Sequence, residues 1–274
     1  MKLFIVLSLI IVLASCQKQQ YDVVIRGGTV YDGTGIPGKL ADVGINADTI
    51  AFIGDLSKAV GKTDIDARGM AVTPGFINMM SHAETSLLFD GNSQSDIRQG
   101  VTLEVLGEGS MGPMSDQMKK DDQEAMKRDP DWAYTIEWTS LGDYLNVLET
   151  KKISPNVASF VGLNTIRVHE LGYANRPPTR EELESMKALV KAAMEEGAMG
   201  VTTALIYAPA NFAKTEELIE LSKVAAPYGG MYIAHIRSEG NAIEQAVEET
   251  IRIAREANIP VDLSFKIQWP TELE

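Results

Sequence analysis

Three histidines and one glutamate carry most of the candidate chemistry in this chain of 274 residues. The histidines are His82, His169 and His235, and the glutamate is Glu108, which lies between two glycines. A catalytic zinc site needs about three such ligands and an open position for water. His82, Glu108 and His235 could form one if the fold brings them together. The alternative is that the histidines are hydrogen-bonded structural residues and that Glu108 accepts backbone N–H groups in a loop.

The elements that must position these residues begin after Pro74. Short apolar runs alternate there with helical stretches, which is typical of βα units around a parallel sheet. Six strands are predicted, at 75–82, 101–107, 157–163, 199–206, 230–236 and 259–265. His82 ends the first strand, Glu108 follows the second, and His235 lies near the end of the fifth. The active site of a βα barrel lies at the carboxyl ends of its strands, so we expect these side chains to meet there.

Helix signals separate the predicted strands. Thr179 followed by Glu182 is a capping-box pattern, and the helix that it begins is predicted to end at Gly197. Its apolar face should comprise Leu183, Met186, Leu189, Val190 and Met194. Further helices are predicted from Thr215 and within 241–260. The polar segment 114–151 is predicted to be a solvated insertion between the second and third strands.

Residues 21–69 show a different pattern of short alternating strands interrupted by Gly, Asp and Asn. This pattern is typical of β-hairpins. A closed eight-stranded βα barrel needs about 250 residues, and only residues 74–274 follow the hairpin region. We therefore expect a barrel that is incomplete after its sixth strand.

The first twenty residues predict export. Lys2 precedes the apolar run LFIVLSLIIVLA, which has the length of a signal peptide and is short for a membrane span. The run ends in LASC, which resembles a bacterial lipobox. We expect residues 1–15 to be a lipoprotein signal peptide and Cys16 to carry the lipid anchor of an exported, membrane-anchored protein on the periplasmic or cell-surface side. The alternative is a plain secretory signal with an incidental Cys.

The composition excludes two classes of protein. The formal net charge of −13 leaves no cationic surplus to neutralise phosphates, which excludes a strongly basic nucleic-acid binder. A single Cys excludes a disulfide framework. The content of 45% hydrophobic and 23% charged residues is that of an ordinary globular protein.

Several motifs together resemble a known family. DVVIRGGTVYDGTG, ADVGINADTIAFIGD and IDARGMAVTPGFIN resemble the opening of the amidohydrolase superfamily. GAMGVTTALIYAPANFAKTEELIEL and GGMYIAHIRSEG resemble its branch of N-acyl-D-amino-acid deacylases, also called D-aminoacylases. The resemblance implies an α/β chain with a small β-sandwich portion at 16–70. It implies an incomplete TIM-like (β/α)8 barrel of about six strands at 71–274.

The resemblance also implies an activity and a set of site residues. Zinc would activate a water molecule that attacks the amide C–N bond of an N-acyl-D-amino acid, a small-molecule substrate. The metal ligands would be His82, Glu108 and His235. Tyr207 would face the substrate as a catalytic residue, and Arg237 and Lys266 would bind it. Ordinary packing for Tyr207 and a surface ion pair for Arg237 are the alternatives.

Some positions depart from the family pattern. Met80 replaces the first His of the family's His-x-His, and Asn78 replaces an Asp, so a second metal site is not expected. Leu163 replaces a position that is often His. The segment LSFKIQWPTELE lacks the histidine that the family has after strand six. The general-base Asp that the family carries on strand eight has no counterpart in this sequence. Alternative functions are therefore a non-catalytic lipoprotein that keeps part of the barrel as a binding module, and a related cyclic-amide hydrolase or amidase.

Overall fold

The computed structural model describes residues 19–264. The predicted signal peptide at 1–15, the predicted lipid-bearing Cys16 and the predicted substrate-binding Lys266 lie outside the described residues. Two compact units divide between Gly75 and Phe76, whereas the sequence interpretation placed a domain boundary between residues 70 and 71. Within 19–264, no helix combines the length and apolar character needed to cross a membrane.

The first unit is a mixed β-sheet. Its strands are β1 (Gln20–Val30), β2 (Lys39–Asn46), β3 (Thr49–Gly54), β4 (Val60–Asp66) and β5 (Ala71–Val72). β2 pairs antiparallel with both β1 and β3, as the hairpin pattern predicts, whereas β4 and β5 pair parallel to β1. Tyr21, Val24, Leu56 and Ala59 form a small buried cluster. A second sheet that would complete a sandwich stays a prediction.

The second unit contains two parallel sheets. Its strands are β6 (Phe76–Ser81), β7 (Val101–Leu106), β8 (Asn156–Ser159), β9 (Val161–Gly162), β10 (Gly200–Ala204), β11 (Met231–His235) and β12 (Val261–Ser264). The strand orders are β6-β7-β8 and β9-β10-β11-β12, and every pairing is parallel. Only Phe160 separates β8 from β9, so the two sheets follow one another along the chain. Each of the six predicted strands therefore contains a strand of the structure.

Helices pack against one face of these sheets. They are α1 (Ser86–Phe89), α2 (Gln94–Ile97), α3 (Asp116–Met126), α4 (Leu141–Lys151), α5 (Leu163–Leu171), α6 (Arg180–Glu195), α7 (Thr215–Ala225) and α8 (Ile243–Ala257). Val201, Tyr232 and Ala234 of the strands belong to the same buried cluster as Met186 and Leu218 of the helices. This main core therefore lies between the strands and the helix layer.

The other face of the parallel strands carries a separate apolar cluster. Val105, Phe160 and Ile233 form its buried part, and Leu103 and Met231 pack against it. Side chains alternate between the two faces of a strand, so Met231, Ile233 and His235 lie in one row on β11. His235 therefore ends the row that faces away from the helices.

The helix α6 follows its sequence pattern. The Thr179 hydroxyl accepts a hydrogen bond from the Glu182 backbone N–H, and the Glu182 carboxylate accepts one from the Thr179 N–H. Met186, Val190 and Met194 are buried, as the predicted apolar face requires. The capping box explains why the helix begins after Thr179, and the apolar stripe explains which side of it is buried.

The segment 114–151 differs from the predicted solvated insertion. The charged helix α3 buries none of its residues, as expected. In contrast, Trp138, Leu141, Tyr144 and Leu148 are all buried in the main core, and a second capping box, formed by Ser140 and Asp143, begins α4. The prediction was wrong for this half because the charges of the first half dominate the composition and hide a short amphipathic helix.

Candidate metal centre

The structure brings Glu108 and His235 together. His235 is the last residue of β11, and Glu108 follows β7 after Gly107. Gly107 has a φ of +145°, and a Cβ there would lie 2.7 Å from Phe160 Cβ, so only glycine suits this exit from the strand. His235 Nδ1 lies 2.8 Å from Glu108 Oε1. Their side chains are 16% and 14% exposed, so the pair is partly shielded from water.

The second nitrogen of His235 has a different environment. Nε2 is buried and makes no hydrogen bond to any described residue, although Glu239 Oε1 lies 3.1 Å away. Glu239 belongs to the motif AHIRSEG, but the sequence interpretation assigned it no role. The imidazole therefore has one carboxylate near each nitrogen.

Tyr207 stands beside the same imidazole. Its ring meets that of His235 edge to face, with centroids 5.5 Å apart and planes at 86°. The side chain is 59% exposed, so one edge contacts His235 while the rest faces solvent. The predicted role of Tyr207 in facing the substrate stays a prediction.

The donor types at this point suit a zinc ion. Imidazole nitrogen and carboxylate oxygen are ordinary zinc ligands, and His235 Nδ1 and Glu108 Oε1 present one of each within 2.8 Å. Across residues 19–264, however, no three His, Cys, Asp or Glu side chains are grouped closely enough to hold a metal ion. His82 is exposed and lies after β6. Two of the three predicted ligands therefore meet, and metal binding by all three stays a prediction.

Glu84 is a titratable residue of this region that the sequence interpretation missed. It is buried, and its Oε1 accepts a weak hydrogen bond of 3.3 Å from the Gly107 N–H. Burial raises the pKa of the Glu84 carboxyl; the nearby Glu108 raises it further, and His82 opposes the change. Its position two residues after His82 was the only available sequence signal.

The loop that carries Glu108 is held by the end of the third predicted strand. The Gly162 N–H donates to Ser110 Oγ at 2.9 Å, and Thr165 Oγ1 donates to the Ser110 carbonyl at 3.0 Å. A Cβ on Gly162 would lie 3.0 Å from the Ser110 nitrogen and 3.2 Å from the Glu108 carbonyl oxygen. The close approach of these backbones favours glycine at 162 and restricts where Glu108 can lie.

Arg237 has a different environment from the one predicted for a substrate ligand. Its Nε and Nη2 donate to the two carboxylate oxygens of Glu249 at 2.9 and 3.0 Å. Its Nη1 donates to the carbonyl of Asn211, and Nη2 also donates to the carbonyl of Ala213, at 2.8 and 3.0 Å. The guanidinium has five N–H groups, and four are engaged within the protein. Recognition of a substrate carboxylate by Arg237 stays a prediction.

Known proteins resemble this chain along most of its length. A D-aminoacylase of Alcaligenes xylosoxydans xylosoxydans is 37% identical over 254 residues, which cover 92% of this chain and 52% of that protein. A crystal structure of D-aminoacylase, described as defining a novel subset of amidohydrolases, superposes with a TM-score of 0.75 at 36% identity and covers 89% of this chain and 51% of its own.

A second solved structure shows the same relationship. It is an N-acyl-D-glutamate deacylase from Bordetella bronchiseptica complexed with zinc and a phosphonate inhibitor, with a TM-score of 0.77 at 29% identity over 89% of this chain and 51% of its own. The chain spans about half the length of the curated relatives that it matches. No protein-family model matches it. Sequence identity and fold agree along nearly the whole described region, and the chain is similar, over about half of their length, to the D-aminoacylases and N-acyl-D-amino-acid deacylases among the amidohydrolases.

Proposed function

We propose that this chain is part of a metal-dependent amidohydrolase that cleaves the amide C–N bond of N-acyl-D-amino acids. The observation that carries the proposal is the meeting of Glu108 and His235 at the carboxyl ends of β7 and β11. These strands are far apart in sequence, and convergence at this edge is typical of active sites in βα folds. The names of the relatives supply the substrate class.

The proposed roles follow from the positions of the side chains. Glu108 and His235 would hold a zinc ion, and His82 is the further ligand that the family resemblance implies. A bound zinc supplies a water molecule acidic enough to ionise near neutral pH. Glu239 orients the His235 ring from the side opposite Glu108, as carboxylates beside metal-binding histidines commonly do. Tyr207 would contact the substrate next to the imidazole.

The parallel strands are proposed to form part of a (β/α)8 barrel. They occur in chain order with helices on one face and the cluster of Val105, Phe160 and Ile233 on the other. A barrel needs this division, because its inner face is filled by strand side chains and its outer face is covered by helices. The fold likeness to solved D-aminoacylase supports the same architecture.

The proposal is tested by zinc content and hydrolysis measured on the same preparations. We expect the 274-residue protein to bind zinc and to release acetate from an N-acetyl-D-amino acid faster than from its L enantiomer. His235→Ala should lose the zinc and the activity. His169→Ala is the matched control, since His169 lies in α5 beside Glu170 rather than in the candidate centre, and it should keep both.

The outcomes separate the alternatives. Hydrolysis of a D substrate that survives His235→Ala would overturn the assigned site. Zinc bound through His235 without hydrolysis of any N-acyl-D-amino acid would overturn the activity and favour a non-catalytic binding module. Cleavage of cyclic amides alone would favour a cyclic-amide hydrolase.

The lipid anchor at Cys16 also stands as a proposal. It is supported by the charged start, the apolar run and the sequence LASC. Metabolic labelling with a fatty acid should modify the protein in a bacterial host and should fail for Cys16→Ser. If the Cys16→Ser variant were labelled, or if the parent protein were not, the lipid anchor at Cys16 would be contradicted. The alternative of a plain secretory signal would then be favoured.

A further inference from the structure

Arg237 lies two residues after His235 and reaches over the loop that carries Tyr207. This loop, 205–214, connects β10 to α7 and contains the short 3-10 helix Ala210–Phe212. The guanidinium donates to the carbonyl of Asn211 within that helix and to the carbonyl of Ala213 just after it. Two points of the loop are therefore attached to one side chain of the strand end that provides His235.

The far side of the guanidinium is fixed by α8. Glu249 is 12% exposed, and both of its carboxylate oxygens accept hydrogen bonds from Arg237. Glu249 Oε1 also accepts a hydrogen bond of 2.8 Å from Thr215 Oγ1 at the beginning of α7. Glu249 thus holds Arg237 in a bidentate pair and ties it to the element that follows the loop. A bidentate pair of this kind fixes orientation as well as distance.

The loop passes this restraint to the tyrosine. The Asn211 N–H donates to the Tyr207 carbonyl at 2.9 Å, and the Leu205 N–H donates to the His235 carbonyl at 2.9 Å. The segment 205–213 is therefore attached to the end of β11 at two points. Its first residue is held by a backbone hydrogen bond, and its last residues are held by the Arg237 side chain. Tyr207 lies between the two attachments, where its ring meets the ring of His235.

We propose that Arg237 is a positioning residue that, with Glu249 as its partner, holds the 205–214 loop so that Tyr207 stays against His235. The role in catalysis rests on the proposed function, whereas the restraint itself does not. A lysine cannot replace this clamp, because an ammonium group offers no planar fork that meets a carboxylate and two carbonyls together.

The test compares Arg237→Lys and Glu249→Gln with Arg252→Lys. Arg252 lies on the same helix as Glu249 and pairs with Glu216 and Glu256 at the exposed surface, so its variant controls for a lost surface ion pair. The first measurement is hydrogen exchange of the backbone amides in 205–214. We expect exchange at least about tenfold faster in both clamp variants, because the local opening is no longer opposed by the guanidinium contacts. Arg252→Lys should match the parent.

The second measurement is the proton NMR signal of the imidazoles. The chain has three histidines, so the untagged protein gives a short set of signals in which His169 is an internal reference. Both clamp variants should shift the His235 signal, because the neighbouring Tyr207 ring changes its position, and should leave His169 unchanged. Thermal unfolding followed by the circular dichroism of the helices will show that the variants remain folded, if their melting temperatures match that of the parent. Unaltered exchange in 205–214 together with an unaltered His235 signal would overturn the proposal.

Kinetics distinguish positioning from direct substrate binding. A positioning role predicts that both clamp variants lower kcat by about tenfold with little change in KM. A guanidinium that binds the substrate carboxylate predicts instead a raised KM for Arg237→Lys and normal exchange in Glu249→Gln, which would overturn the clamp. The exchange and NMR experiments need neither substrate nor zinc. Failure of the parent to hydrolyse N-acyl-D-amino acids would therefore count against the proposed function and leave the clamp to be decided by them.

Discussion

Glu104 is the least expected side chain in the parallel sheets, since a carboxyl group there lies in the middle of β7 and is fully buried. Ser81 Oγ donates to Oε2 at 2.6 Å, and Ser93 Oγ donates to Oε1 at 2.7 Å. Ser81 Oγ also accepts from the Ala83 N–H at 3.2 Å. The carboxyl group thereby ties β6 to β7 just before the segment that contains His82 and Glu84. Buried polar groups are tolerated when their hydrogen bonds are satisfied in this way.

Ser81→Ala should lower the free energy of unfolding by about 1.5–3 kcal/mol, because the buried Glu104 carboxyl group loses a donor that nothing replaces. Ser95→Ala is a suitable control, since Ser95 makes its hydrogen bond to Asp96 at the exposed surface. Urea unfolding of the three proteins measures the difference. A loss below about 0.5 kcal/mol for Ser81→Ala would show that the Glu104 contact is energetically unimportant.

At the scale of elements, a buried ion pair joins α5 to α7. Arg167 and Glu217 are 1% and 4% exposed, and Arg167 Nη1 lies 2.7 Å from Glu217 Oε2. Arg167 Nη2 also donates to the carbonyls of Ala174 and Arg176. Burial raises the pKa of Glu217, and Arg167 opposes that change. The pair lies where α5 and the first turn of α7 meet, and it helps to fix the helices that follow the third and fourth predicted strands.

Glu217→Ala should lower the free energy of unfolding by about 3–5 kcal/mol, because the buried guanidinium is left without its carboxylate. The double variant Arg167→Met, Glu217→Leu should recover most of that loss, since no isolated charge remains in the core. The measurement is a double-mutant cycle by urea unfolding that includes Arg167→Met. A double variant no more stable than Glu217→Ala would contradict this account of the pair.

At the scale of the whole molecule, the response to acid follows from carboxylates in the outer helix layer. The hydrogen bond from Arg176 is the main cause that lowers the pKa of Glu182 to about 2. The hydrogen bond from Lys187 is the main cause that lowers the pKa of Glu220 to about 2, with a further one from Lys223. The ordinary value for both is 4.5. Between pH 4.5 and 2 the unfolded chain therefore binds more protons at these groups than the folded chain does.

We expect the melting temperature to fall as the pH is lowered through this window. Where the unfolded chain binds more protons than the folded chain, lowering the pH favours the unfolded chain and reduces the free energy of unfolding. The buried Glu84 and Glu217, whose pKa values are raised mainly by burial, act in the opposite direction but above pH 4.5, where the folded chain binds more protons at these two groups than the unfolded chain does. Glu220→Gln should flatten the dependence between pH 4.5 and 2, since that position no longer titrates. An equally steep profile in this variant would assign acid sensitivity to other groups. Thermal unfolding followed by circular dichroism provides the comparison.

Local pattern was enough to predict the parallel strands of the second unit and the helix after Thr179. Apolar runs and capping residues act through neighbours in sequence, and they need no knowledge of distant contacts. The same kind of signal did not predict the burial around α4, because Trp138 and Tyr144 are buried only through packing against distant parts of the main core. The positions of Glu108 and His235 at the ends of predicted βα strands also indicated them as partners, since the carboxyl ends of the strands of a βα barrel meet at one mouth.

Local sequence patterns were sufficient to predict the βα order of the second unit and, with the family resemblance, to indicate the residues around which a metal site would form. Tertiary structure alone decided which carboxylates face each nitrogen of His235 and how many N–H groups of Arg237 remain for a ligand. It also decided that Glu104 and Glu217 are buried. These features depend on side chains that meet across tens of residues, and their distances and burial are set by how helices pack on the sheets. For this reason the motif AHIRSEG indicated both His235 and Arg237, while only the fold showed that Arg237 pairs with Glu249 and contacts the 205–214 loop.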